Sequence, residues 1–93
     1  MIRHICMFQL KDKADLPRVL DRAKALQDIP QIRRFLVTAN APGAPVKNYD
    51  FALIFDFASI EELNLYRDSE IHLAWRAFIT PLRELRACID YEL

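Results

Sequence analysis

Apolar and polar residues alternate in four stretches of the chain. In Ile2 to Leu10, the side chains of Ile2, His4, Cys6, Phe8 and Leu10 point one way and those of Arg3, Ile5, Met7 and Gln9 the other, the two-residue period of a strand. A second strand is predicted from Ile32 to Thr38. A third, from Tyr49 to Phe57, places Phe51, Leu53, Phe55 and Phe57 on one face and Asp50, Ala52, Ile54 and Asp56 on the other. A fourth, from Leu85 to Glu92, alternates Ala87, Ile89 and Tyr91 with Cys88, Asp90 and Glu92.

Two stretches between the strands change to the helical period. Leu16, Val19, Leu20, Ala23, Leu26 and Ile29 recur at three- and four-residue intervals, which predicts one amphipathic helix capped by Asp15 and stopped by Pro30. After the third strand, Ser59 and Glu62 form a capping-box pattern ahead of Leu63 and Tyr66. Ser69 is placed to cap a further segment carrying Ile71, Ala74, Trp75, Phe78 and Leu82, so a broken helix pair is expected. Pro81 should end its second piece, because proline lacks a backbone donor and crowds the preceding turn.

The order β-α-β-β-α-β over residues 1–93 predicts a single α+β domain of the ferredoxin-like kind, a four-stranded antiparallel sheet with helices on one face. If the aromatic series of strand three meets the helices, Ile5, Met7, Ala52 and Ile54 lie on an uncovered face. A second copy of the sheet is the expected cover. The segment Thr38 to Asn48, with Pro42, Gly43 and Pro45, reads as a loop placed to rim a pocket or reach another subunit.

Composition strengthens the homodimer expectation. Of 93 residues, 53% are hydrophobic and only one is glycine, more apolar side chain than so small a domain readily hides. Thirteen Lys and Arg balance thirteen Asp and Glu, so no net field favours nucleic acid. No apolar run approaches the roughly 20 residues that cross a bilayer, and no signal peptide precedes strand one. A cytoplasmic location is the default expectation. Cys6 and Cys88 lack the spacing of a zinc clip or redox motif and read as buried thiols rather than a disulfide.

The candidate chemistry lies with two histidines, His4 in strand one and His72, six residues after Tyr66. Imidazole titrates near neutral pH, and a phenol beside it can orient a substrate oxygen. If Ser69 caps its helix, His72 occupies the third position, where the positive helix end disfavours the imidazolium and leaves a base. A metal centre built from His4, Cys6 and His72 is not expected, since no close-spaced ligand pair supports it, and no cofactor is expected. Trp75 and the aromatic row read first as core and second as pocket wall.

Taken together, several segments resemble the stress-responsive A/B barrel (Dabb) family nearly end to end. The carriers are Arg3-His4-Ile5 with Phe8 through Lys11, Ile29-Pro30, the Asp50 to Phe57 strand with Ser59, Tyr66 through His72, and Ile89-Asp90-Tyr91. The resemblance implies a dimeric α+β barrel. Through the family's polyketide cyclases, it further implies Tyr66 as the group orienting a carbonyl and His72 as general base. His4, Cys6, Phe8, Phe51, Leu53 and Trp75 would then form the ligand pocket. The chain departs from that pattern at Ser69-Glu70, where His-Pro is frequent, at Phe51, where the cyclases carry a histidine, and at Arg18 and Arg22, which replace aromatic residues.

Two classes of function stay open at this level. One is a homodimer that binds a small, largely apolar molecule bearing a carbonyl or phenol, with a cofactor-independent cyclase, lyase-like or monooxygenase-like step. The other is a non-catalytic stress-response or interaction protein. An open cavity of about 300 Å³ or more favours the first, and an interior filled by side chains the second.

Overall fold

A computed structural model describes all 93 residues. Four strands, β1 (Ile2–Leu10), β2 (Arg34–Ala39), β3 (Phe51–Phe57) and β4 (Arg83–Glu92), form one antiparallel sheet in the order β2-β3-β1-β4. Helices α1 (Leu16–Ala23), α2 (Ile60–Asp68) and α3 (Glu70–Ile79) cover one of its faces. This is the ferredoxin-like arrangement that the alternation predicts. No helix is long and apolar enough to cross a membrane.

Helix α1 departs from the single helix expected between β1 and β2. The helical stretch tightens to a 3₁₀ turn over Lys24–Asp28, and another 3₁₀ turn, Lys13–Asp15, precedes it. Asp12 rather than Asp15 makes the side-chain cap, accepting from the Ala14 N–H at 2.9 Å, while the Asp15 carboxylate is drawn aside to Arg18. The apolar periodicity survives the tightening, since Val19, Ala23, Leu26 and Ile29 are all fully buried.

The core is the helix-facing side of the sheet. Ile2, Cys6, Phe8 and Leu10 of β1 and Phe51, Leu53, Phe55 and Phe57 of β3 belong to one cluster of 16 buried apolar residues, with Leu63, Tyr66, Trp75 and Ile79 from the helices. Phe35 and Phe55 stack at 4.9 Å, and Phe8 and Phe51 at the same separation. Offset aromatic pairs of this kind add roughly 0.5–1.5 kcal/mol to the gain from burial.

Two buried carboxylates brace the sheet. Asp56 receives a two-pronged bond from Arg3, at 2.8 and 3.0 Å, and the guanidinium holds its pKa below the ordinary value. Asp50 accepts from the Leu10 N–H at 2.7 Å and from Lys13 Nζ at 2.6 Å. The loop between β2 and β3 turns at Gly43, the one residue with positive φ, +84°. With Pro42 before it and the Ala44 N–H bonded to the Ala41 carbonyl at 3.0 Å, this is the turn chemistry in which glycine costs nothing.

The cysteines correct the sequence-based reading. Cys6 of β1 lies directly opposite Cys88 of β4, with Cα atoms 4.2 Å apart, and the two are joined by a disulfide. Narrow, non-hydrogen-bonded cross-strand pairs bring Cα atoms to about 4.5 Å. The register of β1 against β4 creates this pair, and spacing along the chain does not reveal it. At the adjacent rim, the Leu93 N–H donates to the Met1 carbonyl at 2.9 Å.

The opposite face of the sheet is bare. Ile5, Met7, Leu36, Ile54, Leu85, Ile89 and Tyr91 lie there by register. Met7, Leu36, Leu85, Ile89 and Tyr91 are each more than a third exposed.

Candidate functional site

Between the sheet and the α2–α3 pair lies a cavity of about 450 Å³. The helices break beside it, at Ser69. Ser69 ends α2 and caps α3: its hydroxyl donates to the Tyr66 carbonyl at 2.9 Å and accepts from the His72 N–H at 3.2 Å. One serine thus fixes the backbone on both sides of the break. Tyr66 and His72 are turned toward each other, with ring centroids 4.6 Å apart.

His72 is half-buried, and its Nδ1 lies 2.9 Å from the Arg67 carbonyl oxygen. A carbonyl only accepts, so the neutral ring carries its proton on Nδ1 and its lone pair on Nε2. Burial lowers the His72 pKa, against the bond to Arg67, which raises it. Nε2 is the atom equipped to take a proton.

Tyr66 is 1% exposed, and burial pushes its phenol pKa well up. The phenol therefore stays protonated and acts as a donor. Its hydroxyl has no protein hydrogen-bond partner, yet no fully buried polar side-chain atom in the molecule lacks one. That combination leaves the hydroxyl facing the cavity, which Tyr66 lines.

His4 occupies the floor, its ring 5.8 Å from that of Tyr66. Its Nδ1 meets Asp90 Oδ1 at 2.5 Å, and the other carboxylate oxygen of Asp90 accepts from Arg67 Nη2 at 3.3 Å. Burial pulls the imidazole pKa down and the Asp90 carboxylate pulls it up; burial is the stronger, and the net is below the ordinary value. Arg67 therefore reaches both histidines, His72 through its backbone carbonyl and His4 through Asp90.

Of the pocket residues expected from sequence, His4, Cys6, Phe8, Leu53, Tyr66, His72 and Trp75 all line the cavity. Phe51 does not: it stacks on Phe8 and faces Trp75 edge-on at 6.4 Å, within the core. The β2–β3 loop contributes nothing to the rim. Asn40, Asn48 and Tyr49 border a separate, shallower depression with Met7 and Phe51. Arg18 and Arg22 also stay outside, lying over the Phe78 ring at 5.7 and 4.8 Å.

Sequence reasoning missed the arginines. Arg67, Arg76, Arg83 and Arg86 all line the cavity, with Asp68 the single carboxylate among the lining residues. The alternation of β4 could have flagged Arg86, which shares a face with Cys88 and Asp90. A ring nitrogen of His4 and the sulfurs of Cys6 and Cys88 lie within 4.8 Å of one another, but both sulfurs are committed to their mutual bond, so this trio is no ligand set while the bond stands.

A ferredoxin-like sheet with a polar cavity under a broken helix pair defines the class, a small α+β barrel protomer. Within that class the chain belongs to the Dabb family, whose stress-responsive A/B barrel domain matches residues 2–93. No curated protein matches the sequence. A dimeric ferredoxin-like protein of unknown function from Thermobifida fusca YX is 28% identical over 99% of this chain and 90% of its own, with a TM-score of 0.87. A Dabb family protein with a ferredoxin-like fold from Mesorhizobium loti MAFF303099 is 27% identical over 99% and 95%, with a TM-score of 0.83. A hydroxynitrile lyase from Passiflora edulis, 17% identical over 99% and 92% with a TM-score of 0.82, shares the fold alone.

Proposed function

We propose that this chain acts as a homodimer whose cavity binds a small organic molecule and moves a proton on it without a cofactor. His72 Nε2 is the general base and Tyr66 the hydrogen-bond donor to a carbonyl oxygen, with His4 behind them held by Asp90. The observation that carries the reading is the complementary state of the pair: a base with its lone pair free and a protonated phenol with no protein partner, ring to ring on one cavity. Proton abstraction next to a carbonyl needs such a base and donor within reach of one substrate. A cyclase or lyase step is the reaction class that uses them.

The cavity, at about 450 Å³, is within the size range of small-molecule sites, which supports the ligand-binding part of this reading. The test is deuterium uptake at the benzylic carbon of phenylacetone in D₂O, followed by NMR. The wild-type protein should accelerate exchange, His72→Ala should abolish the acceleration and Tyr66→Phe should cut it at least tenfold. Acceleration equal in all three proteins, or absent from the wild type, moves the function to the non-catalytic class.

The dimer reading rests on the bare sheet face and on the dimeric relative. An apolar strip including Met7, Leu36, Ile89 and Tyr91 suits a standard interface of about 800 Å² per partner. Light scattering should give twice the 10.9 kDa chain mass at micromolar concentration, and Ile89→Asp should shift it toward one chain. A wild-type mass of a single chain would refute the homodimer.

A further inference from the structure

The formal charge of the whole chain is zero, yet four guanidiniums and one carboxylate line its main cavity. Arg67 is occupied by Asp90. Arg76 of α3 and Arg83 and Arg86 of β4 have no carboxylate within ion-pair distance; Lys11, Arg22, Arg34 and Lys47 are unpaired as well, but none of those four lines the cavity. Unpaired like charges converging on one cavity repel one another, and they persist only at some cost unless an anion joins them.

We propose that the ligand of this cavity carries an anionic head, a carboxylate or phosphate, on an aromatic body. The head sits against Arg76, Arg83 and Arg86, and the body lies against Trp75. The inference rests on reading the cavity as a ligand site and adds the chemical class of what enters. Guanidinium suits the head because its planar fork donates two parallel bonds to carboxylate or phosphate oxygens. Trp75 is 4% exposed and already sits edge-on to Phe8 at 6.1 Å, an apolar wall suited to a flat ring. Arg76 stands one turn from His72 on α3, and Arg86 is near enough to act on both Tyr66 and His72, so a head held here sets the body of the molecule beside the reacting pair. A charge clamp next to the reacting atoms spends binding energy on orientation.

Trp75 is the only tryptophan, so its emission reports occupancy directly. The probes are 4-nitrobenzoate, 4-nitrophenyl phosphate and the uncharged 4-nitrobenzamide, each titrated with correction for absorbance. At least one anion should quench saturably and bind tenfold or more tighter than the amide, and the tighter of the two identifies the head. Its affinity should fall at least fivefold between 20 and 200 mM salt. Arg83→Gln with Arg86→Gln should remove most of the preference while leaving the amide unaffected. Amide and anions binding alike, or anion binding insensitive to salt, overturns the anionic class and leaves the cavity as a ligand site. Saturable quenching by none of the three overturns both. The salt series in the wild-type protein decides the matter if the double variant fails to fold.

Discussion

Over β2 and its neighbour β3, the layer between sheet and helices is solid, whereas over β1 and β4 the same layer is hollow. No residue of β2 or α1 lines the cavity; its walls come from β1, β4, α2 and α3, with Leu53 alone from β3 and Thr80 from the turn after α3. The solid side is held by dispersion and burial, through Phe35 on Phe55 and the fully buried Val19, Ala23 and Ile29. The hollow side is held by directed bonds: Cys6 to Cys88, His4 to Asp90, Arg67 to Asp90 and the two bonds of Ser69. A domain this small cannot leave about 450 Å³ open and also rely on packing there. Polar and covalent ties replace the missing contacts and give the cavity its chemical character.

The contrast is open to direct attack. Phe55→Ala should cost about 3–5 kcal/mol, since a fully buried ring leaves a void its neighbours cannot fill, while Leu73→Ala on the cavity rim should cost about 0.5 kcal/mol or less. Urea unfolding at fixed protein concentration measures both, and similar costs would erase the distinction.

Next in size is the covalent tie. Residues 6 and 88 stand 82 positions apart, and closing so long a loop removes entropy from the unfolded chain. Reduction by a dithiol should lower stability by about 2–4 kcal/mol. Amide exchange should then rise first in β4 and little in β2. Uniform acceleration across the sheet would show that the tie serves the whole molecule rather than its hollow half.

The smallest effect expected is on pH. Burial lowers the pKa of both His4 and His72 from 6.5 in the folded chain, so below about pH 6.5 the unfolded chain binds more protons than the folded one. Stability is therefore complete above that value and declines as the pH falls through the folded-state pKa values. Thermal melts between pH 5 and 8 should show this slope, and it should flatten in His4→Gln with His72→Gln. An unchanged slope in the double variant would assign the dependence to other groups.

What could be read from the sequence divides differently, between local and distant contacts. The elements were legible because alternation and helical periodicity are local: β1 runs from Ile2 to Leu10 as the pattern predicts, and Ser69 caps α3 as expected. Strand ends shifted where local bonds intervened. Ile32, for instance, is taken into a turn by the Ile29 carbonyl before β2 begins at Arg34. Tyr66 and His72 were legible as a pair through their six-residue spacing and the family resemblance. The disulfide and the His4–Asp90 bond depend on the register of β1 against β4, two strands at opposite ends of the chain, which the period within either strand does not give.

The bond from Leu93 to Met1 has a topological consequence, for it makes the chain nearly a ring. A short Gly/Ser bridge could join the two ends while new ends are cut between Pro42 and Asn48, where the backbone is mostly exposed. Circular permutants succeed at such sites. In that permutant β4 and β1 would become consecutive in sequence, and a distant strand pairing would become a hairpin. The order in which the sheet assembles could then be changed without altering any side chain of the cavity.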